Sequence, residues 1–113
     1  MKITQSAALP AHLMDQTAQL GQRLARLRLA RGIKQTDAAL RAGMSRNTAY
    51  RLEHGDPGLA IGQVLRYLDA IAPGSTLHDL LSESNPALAA LAARERSKRV
   101  RALSTTELDE LDF

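Results

Sequence analysis

The stretch "AGMSRNTAYRLEHG", residues 42–55, decides how the rest of the chain is read. A helix over roughly 46–53 places Arg46, Asn47, Tyr50 and Arg51 together, at i, i+1, i+4 and i+5. Ala49 and Leu52 then lie on the opposite side, and Met44 precedes them in the turn. Ser45 stands where its side chain can cap the helix. The outer side is therefore rich in planar, forked donors, and the inner side is small and apolar. Arginine can donate two hydrogen bonds to guanine O6 and N7, and asparagine can pair with adenine N6 and N7. A helix this short does not persist alone in water and needs a neighbour to hold it.

Working outward, "KQTDAALRAG" (34–43) supplies that neighbour, a helix over roughly 35–42 that stops at Gly43. Before it, Leu20, Leu24 and Leu27 fall at i, i+4 and i+7 on a helix that Gly32 ends. That helix is expected to start near residue 11 or near Asp15, behind a flexible or extended arm over residues 1–14. After the stretch, "HGDPG" is a turn. A further helix is expected over about 60–71, with Ile61, Val64, Leu65 and Leu68 on one face. "TLHDLL" reads as a short helix opened by Ser75 or Thr76. Asn85 and Pro86 open a last long helix to about residue 102. "STTE" (104–107) has capping-box spacing, which would start a separate final turn.

Charge is unevenly spread. The chain of 113 residues carries a net +3. Residues 20–55 hold eight basic residues against Asp37 and Glu53, a net of +6, whereas the last ten hold four acids and no base. A basic module with an acidic tail points to a polyanionic partner for the module. Cysteine is absent, which excludes disulfides and thiolate metal sites. No apolar run approaches the roughly 20 residues that span a bilayer, and "MKITQSAALPAHL" does not read as a signal peptide. The expected location is the cytoplasm. His12, His54 and His78 are isolated from one another and lack ligand spacing, and no nucleophile–base pair is apparent. Neither an enzyme nor a metal or other cofactor is expected.

Two short helices, a turn with glycine and a polar, outward second helix describe a helix-turn-helix. "LGQRLARLRLARGIKQTDAALRAGMSRNTAYRLEHG" resembles the helix-turn-helix domain of the Cro and phage-repressor (XRE) family, over roughly residues 20–81. The features that match together are "LR…RG" ending the first helix, a glutamine opening the second, Ala39 at the helix crossing, Gly43 in the turn with a serine after it, and "RLEHG" closing the recognition helix. The resemblance implies an all-α fold: a five-helix lambda-repressor-like helix-turn-helix domain over 15–82 with a C-terminal helical extension and acidic tail over 83–113.

It also implies roles. Ser45, Arg46, Asn47 and Arg51 would face base edges in the major groove, and Tyr50 a phosphate, a sugar or a thymine methyl. Gln35 would bind a backbone phosphate through its amide and the helix end, with Lys34 beside it. Arg28 and Glu53 occupy positions where such proteins form an interhelical ion pair, with the arginine also reaching toward phosphate. The chain departs from the pattern at Lys34, where a serine or threonine cap is usual, and at Ala38 and Ala49, where larger aliphatics are common. The lighter core implies lower stability. Asp56 would repel phosphate from the "HGDPG" turn.

Two functions are then in view. The first is a sequence-specific regulator of double-stranded DNA, a homodimeric repressor on a palindromic operator, paired through the region after residue 60. The second draws on "EHGDPGLAIGQVLRYLDAI", which resembles the HipB-type antitoxins that bind both DNA and a kinase toxin. There, Leu108, Leu111 and Phe113, interleaved with acids in "ELDELDF", would dock the protein partner. The basic cluster "RERSKRVR" (94–101) reads as a solvated or packing face of the last helix.

Overall fold

The computed structural model describes residues 4–111, and the side chains of residue 6 and of residues 102–111 lie outside that description. Every regular element among the described residues is an α-helix. In chain order these are α1 (Gln5–Ala8), α2 (Ala11–Ala30), α3 (Gln35–Ala42), α4 (Arg46–Glu53), α5 (Ile61–Ile71), α6 (Leu77–Ser82) and α7 (Pro86–Leu111).

The central pair forms where local signals place it. Gly43 ends α3 at φ 70°, a left-handed conformation that a glycine adopts without steric penalty, and its N–H returns to the Ala39 and Leu40 carbonyls. Ser45 Oγ accepts the Thr48 N–H at 3.0 Å and opens α4. Thr76 caps α6 in the same way, and Asn85 Oδ1 accepts the Ala87 N–H at the start of α7.

The core is built from Leu24 and Leu27 of α2, Ala38, Ala39 and Ala42 of α3, Ala49 and Leu52 of α4, Tyr67, Leu68 and Ile71 of α5, Ala72, and Leu80 of α6. Each buried leucine or isoleucine contributes about 1.5–3 kcal/mol of transfer free energy. α3 packs on α4 and α5, while α2 packs on α4, α6 and α7. Ala38 and Ala49 are each 0% exposed, so the small residues buy close helix approach rather than leaving space. A second close approach joins α2 to the end of α4. A Cβ on Gly21 would lie 2.6 Å from both the Glu53 carbonyl oxygen and the Gly55 nitrogen. Gly55, at φ +73°, would in turn drive a Cβ into the backbone of Thr17 and Ala18.

Three expectations are corrected. The N-terminal segment is not extended throughout: residues 5–8 form α1, capped by Thr4 Oγ1 accepting from the Ala7 N–H, and α2 begins at Ala11, the earlier of the two expected starts, which shortens the arm. Pro10, with φ −61°, launches α2. The buried face of α5 is rotated from the one expected. Val64 and Leu68 face the core with Tyr67 and Ile71, whereas Ile61 is 76% and Leu65 44% exposed. Tyr67 carries the face inward because its hydroxyl has a buried partner, described below. Finally, "STTE" starts no new helix. α7 runs unbroken from Pro86 to Leu111, since no glycine or proline follows Pro86 to stop it. Leu108 and Leu111 thus lie on helical backbone, and Phe113 falls outside the described residues.

α7 projects from the domain. Its 26 residues make a rod of about 39 Å. Leu88, near its start, packs against the core, and Arg26 of α2 holds Glu95 through two hydrogen bonds of 2.5 and 3.3 Å. The radius of gyration is 17.8 Å, against about 13 Å for a compact chain of this length.

Candidate nucleic-acid interface

α4 is amphipathic in the sense its sequence requires. Ala49, Leu52 and Glu53 are buried, and Arg46, Asn47, Tyr50 and Arg51 are exposed on the other side. Among the described residues, Arg46 and Asn47 make no side-chain hydrogen bond or ion pair, so their donors face solvent. Tyr50 stacks on His54 with ring centroids 3.9 Å apart, and His54 Nδ1 lies 2.8 Å from the Tyr50 carbonyl. The phenol is thereby held against the end of its own helix. Ser45 is more occupied than a free reader would be. Its hydroxyl accepts the Thr48 N–H and donates to Thr48 Oγ1 at 2.9 Å.

Glu53 anchors the inner side. Arg28 donates to it from Nε at 2.6 Å and from Nη2 at 3.0 Å, a bidentate pair. The third Arg28 nitrogen, Nη1, donates to the Ile33 carbonyl at 2.9 Å. Gln35 Nε2 donates to Glu53 Oε1 at 3.1 Å, and the Tyr67 hydroxyl donates to Glu53 Oε2. The pair is nearly dry, with side-chain exposures of 12% for Arg28 and 4% for Glu53. The hydrogen bond to Glu53 raises the Arg28 pKa above its usual value. Burial first, and then the bond to Glu53, push the Tyr67 phenol well above the usual tyrosine range. One carboxylate therefore ties α2, α3, α4 and α5 together, and no buried side-chain polar atom among the described residues lacks a partner.

The expected site residues are distributed as follows. Ser45, Arg46, Asn47, Tyr50 and Arg51 share α4 and its cap. Lys34 is the N-cap residue of α3, exposed and without a side-chain cap bond, and Gln35 is the first residue of that helix. The Arg28–Glu53 ion pair is formed. Together with the Ile33 carbonyl, the pair engages all three guanidinium nitrogens of Arg28 within the domain, on a side chain 12% exposed. The amide nitrogen of Gln35 is likewise turned to Glu53.

Two participants were not legible in advance. Tyr67 looks like one more apolar position in "VLRYLDAI" until its hydroxyl is paired. Asp56, read as a residue that only repels phosphate, holds Arg51: Arg51 Nε donates to Asp56 Oδ2 at 2.7 Å. The available signal was an acid five residues after an exposed arginine, across a glycine turn.

Comparison with known proteins finds one family, described as a helix-turn-helix domain, which matches residues 19–81. That span contains α3, its turn and α4, and more than half of the chain. No curated protein and no solved structure matches the chain significantly. Among the described residues no helix is long and apolar enough to cross a membrane.

Proposed function

This chain belongs to the helix-turn-helix domain family, a DNA-binding module, and we propose that it is a cytoplasmic, sequence-specific regulator that represses transcription as a homodimer on a palindromic operator. The observation that carries the reading is the outer face of α4. Arg46, Asn47, Tyr50 and Arg51 are exposed together on a helix whose opposite side is locked into the domain. In this reading α4 enters the major groove, Arg46 and Arg51 read guanine edges, Asn47 reads adenine, and Tyr50 contacts the backbone or a thymine methyl. Ser45, the N-cap of α4, faces a base edge while its hydroxyl holds Thr48. Lys34 and the N-terminus of α3, with Gln35, take a phosphate. Arg28 and Glu53 set the tilt of α4.

A single domain of this size buries limited surface on DNA, and two-fold pairing supplies the remaining affinity and specificity. Half-sites would lie about one helical turn, roughly 34 Å, apart. Bound at an operator, the dimer excludes polymerase sterically. Pairing is assigned to the surface after residue 60, where Ile61, Leu65, Leu77 and Leu81 are exposed and α4 is left free.

One observation favours a second reading, an antitoxin that also binds a toxin protein. α7 packs chiefly on α2 and continues as helical backbone to Leu111. Deleting residues 104–113 would then abolish partner binding and spare DNA binding.

Selection of bound duplexes from a random pool tests the main reading, with the winner and a scrambled duplex titrated at two salt concentrations. A palindromic winner preferred by about a thousandfold or more is expected. No preferred sequence, with binding that collapses as salt rises, would reduce the arginines to backbone attraction and overturn the reading.

A further inference from the structure

Asp56 does more than border the interface. Its carboxylate is held on one side and holds on the other. Oδ1 accepts the Gly58 N–H at 2.8 Å in a tight side-chain turn, and Oδ2 accepts Arg51 Nε at 2.7 Å. The main chain closes the same loop, the Asp56 N–H donating to the Arg51 carbonyl at 3.0 Å. Arg51 is 43% exposed, and only its Nε is used. The two Nη groups, which form the end of the fork, remain for an outside acceptor. Gly58 gives the Asp56 carboxylate room: a Cβ there would lie 3.2 Å from Asp56 Oδ1, a tight approach, and 4.0 Å from Arg51 Nη2, an ordinary contact.

We propose that Asp56 is a specificity-determining residue: it fixes the Arg51 guanidinium so that its Nη fork presents end-on to a guanine in the major groove. The proposal rests on the reading of Arg51 as a base-reading residue. Arginine is a long side chain that adapts equally well to a phosphate or to several base edges when free. Held at Nε by a carboxylate that is itself fixed to the backbone, it loses that choice. The Gly58 N–H and then Arg51 hold the Asp56 carboxyl below the usual carboxylate range, so it is charged near neutral pH. An exposed ion pair adds little to stability; what this one supplies is direction. It also carries an opposite, separable effect. A carboxylate near the duplex repels phosphate, so Asp56 lowers affinity for all sequences while raising discrimination at one base pair.

The test is Asp56→Asn in the full-length chain, run beside wild type and Arg51→Ala in selections from a random duplex pool and in titrations on operator and scrambled DNA. Asparagine with its carbonyl oxygen on the Gly58 N–H puts an amide NH2, a donor, where Asp56 Oδ2 accepted from Arg51 Nε. The Nε–H resonance of Arg51 should lose its hydrogen-bonded shift and its protection from water exchange. The base preference that Arg51→Ala abolishes should also weaken in D56N, by about tenfold, a typical share of a bidentate contact. Affinity for scrambled DNA should rise. Should D56N lower the melting temperature, Asp56→Ser, whose hydroxyl also serves the turn, repeats the measurement. A D56N preference that superimposes on wild type at that base pair overturns the proposal and leaves the DNA-reading function standing. So does a gain of equal factor on operator and scrambled DNA, which would make Asp56 a source of repulsion alone. A wild-type selection with no preferred sequence overturns both.

Discussion

Glu53→Ala is the substitution whose cost the structure states most directly. The Glu53 carboxylate accepts four hydrogen bonds: two from Arg28, one from Gln35 and one from the Tyr67 hydroxyl. Alanine removes both acceptor oxygens, and with them all four bonds, at once. Arg28 is left with a side chain 12% exposed and a single carbonyl partner, Ile33, which is the situation of a broken buried ion pair and costs about 3–5 kcal/mol. Tyr67 is 0% exposed, so its hydroxyl is stranded without water, a further loss of about 1–3 kcal/mol taken alone. These losses belong to one network and do not add in full. A total of at least about 3 kcal/mol is expected, out of the roughly 5–15 kcal/mol that stabilises a domain. Urea unfolding followed by circular dichroism measures it as a fall in midpoint at constant slope. Adding Tyr67→Phe to Glu53→Ala should recover part of the loss, because the stranded hydroxyl is gone. A Glu53→Ala variant within about 1 kcal/mol of wild type, or a double variant whose loss equals the sum of the singles, would refute the view of Glu53 as the shared acceptor of four elements.

Three other outcomes are expected from the structure and the proposed DNA-binding face. Tyr67 has its phenol pKa raised, so the folded chain keeps a proton that the unfolded chain releases; stability contributed by the phenol is full below about pH 10 and falls above it by up to about 1.4 kcal/mol per pH unit, and Tyr67→Phe should flatten the alkaline limb of a melting-temperature profile. Gly21→Ala should destabilise by about 1–3 kcal/mol through overpacking against the Glu53 carbonyl and Gly55 nitrogen, measured by thermal unfolding, with Gly62→Ala, which meets nothing within 4 Å, as the tolerated control. Arg46→Ala should cost about 1–3 kcal/mol on the operator and relax one base position, whereas Lys34→Ala should weaken operator and scrambled duplex by the same factor in titrations.

The elements marked by local punctuation were legible. The α3 and α4 boundaries follow from Gly43 and Ser45, whose conformation and capping are decided within a few residues. Where the deciding partner lies far along the chain, pattern alone misleads. "IGQVLRYLDAI" supports two apolar stripes, one through Ile61 and Leu65 and one through Tyr67 and Ile71. The second is buried because Glu53, fourteen residues earlier, satisfies the tyrosine hydroxyl. α7 shows the converse error. "STTE" looks like a start, yet a capping box begins a helix only where the chain has first left one, and nothing between Pro86 and Ser104 makes it leave. At the interface, the face shared by Arg46, Asn47, Tyr50 and Arg51 was readable from spacing. Their unequal freedom was not, since it depends on how the 54–58 turn folds back.

On the proposed reading of α4 as the recognition helix, that inequality makes its arginines read bases differently. α4 has only eight residues and draws its rigidity from both ends: Ser45 fixes the first turn, and Glu53, with the Gly21–Gly55 approach, fixes the last. Between these anchors the backbone is common to Arg46, Asn47, Tyr50 and Arg51, so differences among them come from their side chains. Arg46 and Asn47 are without partners among the described residues and must be ordered by the DNA itself. Arg51 is already held at Nε. Ordering a free, rotamer-rich side chain at an interface costs about 0.5–1.5 kcal/mol, and that cost is incurred on any sequence offering an acceptor. A pre-held side chain avoids most of it, but only for an acceptor at the place where its fork already points. The operator should therefore show its sharpest base preference opposite Arg51 and a more permissive one opposite Arg46, although both are arginines on the same face of the same helix. Equal sharpness at the two positions in a selected pool would mean that the exposed pair with Asp56 does not survive in the groove.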